Sequence, residues 1–364
     1  MKRLAIVLAA LCASLAFAKP QRVIFDTDMG NDVDDIFALT ILMGYHASGE
    51  ADLAAVLVNK DNPYAPVFVS LVQDYYGVKT PIGMVDGGSK TKGEGCFAGA
   101  VSKMKNPDGT YKYARSLDPN VKPADAVRLA RKILSESEDG SVVYVSVGFS
   151  TNVSRLFDSL PDEISPLTGR ELVYKKVKYF SVMAAQFATA PDADKIRPEY
   201  NVKIDPAAAK NFFETSPVPI IFSGFEIGVS LKFSHDTVDR LFSPENPARV
   251  SYDLYALAVN RNKCKRHDRP TWDLTSALYV FQPDLWDLSE PVDISVAENG
   301  LVSFKNSPEA KHRYLIIPEG GKDRIMDALY KRSAFLTPKA EAAFSLPAKR
   351  AKLGFKNYKS ALKK

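Results

Sequence analysis

Ten residues carry most of the constraint on this chain. The run Asp26-Thr27-Asp28-Met29-Gly30-Asn31-Asp32-Val33-Asp34-Asp35 holds five carboxylates, directly after the apolar segment Val23-Ile24-Phe25. Like charges at this density repel one another and destabilise any fold that leaves them unpaired. A hard divalent cation removes the conflict, because Ca²⁺ and Mg²⁺ take oxygen ligands and several negative charges. A strand-like run enters the loop, and the apolar-periodic stretch from Ile36 to Met43 leaves it as a helix. The acids therefore fall at the carboxyl end of a strand, where open α/β sheets keep their active sites.

The rest of the chain repeats this alternation, which reads as α/β. Strands are expected at Val23–Phe25, Leu53–Val58, Val142–Val147, Tyr179–Met183 and Ile220–Phe222. Helices are expected over 34–48, 64–76, 122–137, 151–159, 205–215 and 271–281, with Asp205 as an N-cap and Pro206 in a first turn. The Gly-, Lys- and Asp-rich stretch 84–120 reads as a long loop bordering the active site, and 287–320 as a late β-rich addition. No linker interrupts the pattern, so residues 19–345 read as one domain, followed by a basic tail over 346–364.

The first 18 residues read as an export signal. Lys2 and Arg3 are a positive n-region, Leu4 to Leu15 an apolar core, and Ala16-Phe17-Ala18 a cleavage site. The apolar stretch is too short to span a membrane. The expected mature protein starts at Lys19 and is exported, periplasmic or secreted, with no membrane segment. Loss of Lys2 and Arg3 takes the formal charge from +5 to +3, too mild to argue for nucleic acid. Cys96 and Cys264 remain, either paired or as two separate thiols. His46, His235, His267 and His312 read as surface residues, and only His267 lies near enough to Asp273 to reach a site there.

Two rival readings of the acidic loop fail on its spacing. An EF-hand needs Gly at the sixth position and Glu at the twelfth, whereas counting from Asp26 puts Asn31 and Phe37 there. A haloacid-dehalogenase-type phosphatase also opens on Asp-x-Asp, but wants Thr or Val where this chain has Gly30. The loop instead resembles the inosine-uridine-preferring nucleoside hydrolase family. Asp26-x-Asp28-Met29-Gly30 and Asp34-Asp35 match that family's Asp-x-Asp-Pro-Gly and paired acids, with Met for Pro and two extra residues before the pair. Further segments follow in the family's order: Gly148-Phe149-Ser150-Thr151-Asn152, a strand ending in Met183, Pro198-Glu199-Tyr200-Asn201 with Asp205-Pro206, and Trp272-Asp273.

The resemblance implies an open, mostly parallel α/β sheet, a Ca²⁺ cofactor, a ribonucleoside substrate and a homo-dimer or tetramer. It implies that Asp28 is the catalytic base and a metal ligand beside Asp35, the backbone oxygen of Thr151, and Asp273. Asp34 would hold a ribose hydroxyl, or Asp32 in its place because of the insertion. Glu199, Asn201 and Asp273 would grip the sugar, Met183 would line its pocket, and Asn59 would be a further contact. The chemistry suits these residue types. Cleaving an N-glycosidic bond develops positive charge on the ribose. A divalent cation acidifies water and a neighbouring carboxylate removes the proton.

Two departures bear on the substrate. Trp272 stands where many family members place a His that protonates the leaving base, which tilts the expectation toward a stacked purine. Ala184-Ala185 replaces Gly-Gly after Met183, and two extra methyl groups are expected to narrow the pocket. The alternatives are hydrolysis of another ribosyl conjugate and a Ca²⁺-dependent ribosyl- or sugar-binding protein without turnover.

Overall fold

The computed structural model describes residues 19–90, 97–189, 195–259 and 267–335. The expected signal segment, the basic tail, Cys96 and Cys264 lie outside the described residues.

Strands β1 (Gln21–Thr27), β2 (Ala51–Lys60), β3 (Ile82–Ser89), β4 (Ala124–Asp125), β5 (Val142–Ser146), β6 (Val177–Met183) and β7 (Ile220–Ser223) join in parallel. Two short antiparallel pairs add β8 (Lys232–Phe233) with β9 (Arg269–Pro270), and β11 (Val292–Val296) with β12 (Val302–Asn306). The main sheet ends with β13 (Arg313–Ile316), parallel to β7, and β10 (Asp287–Leu288), antiparallel to β13. Its order is β10-β13-β7-β6-β5-β1-β2-β3-β4.

Sequence pattern explains this arrangement. Val142 to Val145 are buried without alternation, as expected of a strand covered by helices on both faces. In β1, Val23 and Phe25 join one core while Ile24 joins the other. The first core gathers the helices Asp34–Ala47, Tyr64–Tyr76 and Trp272–Tyr279, and the second gathers Ala126–Ser135, Thr151–Asp158 and Pro206–Thr215.

The five expected strands and six expected helices are present, with ends shifted by a few residues. Strand β3 begins two residues before the stretch expected to be loop and runs into it. Gly83, Asp86, Gly87 and Gly88 break its apolar pattern, and pairing with β2 decides its conformation. None of the described residues of 84–120 lines the cavity described below, contrary to expectation. Two histidines are also not at the surface. His235 Nε2 lies 3.0 Å from Asp253, and His312 accepts the Ile220 amide at 3.0 Å, while burial and then the Lys311 charge hold its imidazole down to about 4.

One feature of the topology places the site. β1 is flanked by β2 on one side and β5 on the other, so the chain winds outward in two directions from β1. The crevice beyond the carboxyl ends of β1 and β5 is a topological switch point, the usual ligand position in such sheets.

Candidate active site

The acidic loop opens into that crevice, and a cavity of about 430 Å³ sits over it. Its floor is carboxylate. Asp34 and Asp35 open the helix Asp34–Ala47, and Asp273 lies in the first turn of the helix Trp272–Tyr279. Two helix N-termini thus supply partial positive charge to three acids. Oxygens of Asp34, Asp35 and Asp273 lie within 4.8 Å of one another, and the Asp273 amide donates to Asp34 at 3.3 Å. Burial, and then repulsion from neighbouring acids, raises all three well above the usual carboxylate range. This donor set, oxygen-only and mutually repulsive, fits a hard divalent cation.

Asp28 adjoins the trio rather than joining it. Its carboxylate accepts from Asn31 Nδ2, and burial raises it to about 6. Asp34, expected to hold the sugar, lies with Asp35 and Asp273, and Asp28, expected to touch the metal, lies beside these three. Asp32 has been claimed by other partners. It lines the cavity, pairs with Arg269 and accepts from the Tyr255 hydroxyl at 3.0 Å. Asp26 is wholly buried beneath the loop. It accepts from Asn59 at 2.9 Å, Asn152 at 3.0 Å and Tyr144 at 2.8 Å, and burial still pushes it up to about 7.

Three of the residues expected to meet the sugar share the acids' cavity. Glu199, Asn201 and Met183 all line the cavity. Glu199 caps its own short helix by accepting the Asn201 amide at 3.0 Å, and burial raises its carboxyl to about 7. Asn201 Nδ2 donates to the carbonyls of Val147 at 3.0 Å and Met183 at 3.2 Å, stitching the ends of β5 and β6 together.

Two expected site residues are displaced. Asn59 does not line the cavity: its amide is used between Asp26 and the Phe149 backbone, bracing the loop from behind. Thr151 does not line it either. Its hydroxyl donates to Asp205 at 2.6 Å, and the wall from this segment is Val147, at the end of the strand run. Three residues lie between them, enough for the chain to turn from the cavity into the helix Thr151–Asp158.

Aromatic groups form another wall. Trp272 Nε1 donates to the Phe225 carbonyl at 3.0 Å, and the two rings lie 5.5 Å apart. Gly228 permits this seat, since a Cβ there would come within 2.2 Å of the indole. The Arg269 guanidinium lies over Tyr255 and Trp272 at 4.8 and 5.8 Å. His267 approaches Arg269 but does not line the cavity. Ala184 and Ala185 are buried behind the wall, so their methyl groups do not narrow the pocket. Ala185 has φ +67°, a left-handed conformation that costs an L-residue about 1–2 kcal/mol. Replacing Ala185 with Gly removes that strain but loosens the unfolded chain, and a net gain of about 0.5–1 kcal/mol is expected in denaturant titration. An unchanged or lower midpoint would show that the surroundings already absorb the strain.

Sequence reasoning missed Val147, Asn31, Tyr255 and Arg269 on the wall, and Lys60 behind it. Lys60 alone carried a signal, being a charge at the end of a strand whose run Leu53–Val58 is apolar.

An open, mostly parallel sheet thus carries, at its switch point, a cluster of buried acids able to hold a divalent cation. The family model described as inosine-uridine preferring nucleoside hydrolase matches residues 23–317, and the chain belongs to that family. It is thus an N-ribosyl hydrolase that cleaves N-glycosidic bonds of nucleosides. Among solved structures it is similar to a plant nucleoside hydrolase, with 18% identity, TM-score 0.65, and 86% of this chain and 99% of that one covered. It is also similar to the purine-preferring ribonucleoside hydrolase of Gardnerella vaginalis, with 15% identity, TM-score 0.67, and 86% and 98% covered. A type III effector protein complexed with adenosine diphosphate ribose matches with 16% identity, TM-score 0.62, and 93% and 98% covered. A comparison with curated protein sequences found no significant match.

Proposed function

We propose that this hydrolase is calcium-dependent and favours purine ribonucleosides, releasing free base and ribose. The observation that carries the reading is the carboxylate trio and Asp28 sharing one cavity with the aromatic wall of Trp272 and Phe225. Asp34, Asp35 and Asp273 would hold the ion. When bound, the cation supplies Lewis-acid activation of water and anchorage for vicinal ribose hydroxyls.

The chain's own groups do the rest. Asp28 accepts the proton of the attacking water as it closes on the anomeric carbon. Its neighbouring carboxylates favour the positive charge that develops on the sugar. Glu199 and Asn201 orient the ribose, and Met183 packs against it. Trp272 stacks on the departing base, and no imidazole among the described residues lines the cavity to protonate it.

The direct test is ribose release from a panel of purine and pyrimidine ribonucleosides, with Ca²⁺ and with chelator. Binding without release would favour the non-catalytic alternative. A second reading, a phosphate-bearing ribosyl conjugate, is favoured by Arg197, Lys203 and Arg269 on the cavity wall, so the panel includes adenosine diphosphate ribose. The stacking role makes its own prediction. Trp272→Ala should lower kcat/KM for inosine about 10- to 100-fold, as loss of base–aromatic stacking implies. Calcium affinity, measured by calorimetry, should stay unchanged; equal losses in both would remove the stacking role.

A further inference from the structure

We propose that Lys60 is a positioning residue for Asp28, acting through the side chain of Asn31. This rests on the hydrolase reading above, in which Asp28 receives the proton. Lys60 is the last residue of β2 and is wholly buried, although no apolar core welcomes an ammonium group. Its Nζ donates to Asn31 Oδ1, and Asn31 Nδ2 donates in turn to Asp28 Oδ2. Asn31 occupies the stretch with two extra residues ahead of the acid pair. It follows Gly30, whose φ of +106° lets the loop turn back toward β2.

The direction of the relay follows from the donors and acceptors available. An ammonium group has three donors and no acceptor, so only the oxygen of the Asn31 amide can face Lys60. The amide nitrogen must then face Asp28, where it holds Oδ2 and leaves proton acceptance to Oδ1. Without the ammonium group the amide is free to flip. Its oxygen would then meet a carboxylate oxygen, and Asp28 would turn away. Arg269 does not take over this task, since it is engaged with Asp32. The surrounding acids make an oriented donor at Asp28 the more necessary: Asp32 repels it, and Lys60 opposes that repulsion.

Lys60→Met keeps the length of the side chain and removes its charge, and Asn31→Leu keeps the shape of the amide and removes both hydrogen bonds. In the full mature protein each should lower kcat about 100-fold, the scale of a 1 Å misplacement of a reacting group. KM for the ribonucleoside and calcorimetric Ca²⁺ affinity should stay within about threefold, because ground-state binding is left intact. The double variant should be no worse than the poorer single one, as expected of two links in one chain. Crystal structures of both single variants should show the Asp28 carboxylate rotated from its present position.

Additive losses, a parallel fall in metal affinity, or an unmoved Asp28 would each overturn the relay. If Lys60→Met fails to fold, Asn31→Leu on the cavity wall decides the matter alone. Should the unaltered enzyme release no ribose, the hydrolase reading fails, whereas the position of Asp28 in the variants still decides whether Lys60 orients it.

Discussion

Asp28→Ala should lower kcat/KM for nucleoside hydrolysis about 10³-fold, within the range typical of losing a general base. Asp28→Asn should do nearly as much, because an amide keeps the shape but accepts no proton from water. Neither change should unfold the protein, since each removes one charge from a crowded group of buried acids. The metal-free melting temperature of Asp28→Asn should therefore rise. Ribose release by either variant at more than a tenth of the original rate would assign the proton to another group.

Removing the metal should have the second large effect, abolishing turnover and making stability depend steeply on pH. In the metal-free protein Asp34, Asp35 and Asp273 are raised well above the usual range, chiefly by burial. Asp28 is raised to about 6, and Asp26 and Glu199 to about 7. A carboxyl raised on folding keeps its proton in the native state after the unfolded chain has lost it. The native state then binds more protons from about pH 4, the unfolded value, up to the folded value, and stability falls as pH rises through that window. His312 works the other way, since its folded value is depressed to about 4, but it is one group against several acids.

The stripped protein should accordingly melt higher at pH 5 than at pH 8. Added Ca²⁺ should raise the melting temperature more at pH 8 than at pH 5, because binding to the acids has fewer protons to displace at the higher pH. A stripped protein whose melting temperature is flat or rising over that interval would contradict the buried acidic cluster.

The positions of the metal-trio acids were legible because their signals are local. Asp34 and Asp35 open an apolar-periodic helix, and Asp273 opens another, so both helix starts could be read from period and composition. Glu199 and Asn201 gained meaning from their order along the chain, and both line the cavity. The errors fall where direction matters. Asn59 and Lys60 are adjacent at the end of β2, yet one braces Asp26 and the other reaches Asn31. Val147 and Thr151 belong to one strand-to-helix turn, and only Val147 lines the pocket. His235 and His312 were misplaced because their burial depends on partners far along the chain, Asp253 and the Ile220 amide.

The sequence by itself determined the layered α/β architecture, the strand that carries the acids, and a density of carboxylates that calls for compensating charge. Those follow from periodicity and charge density, which act over a few residues. Tertiary structure alone decided which acids meet, that Val147 rather than Thr151 lines the pocket, and that a buried lysine backs Asp28 through Asn31. Strand order at the switch point brings loops from distant segments together, and the side-chain directions there depend on what each loop packs against.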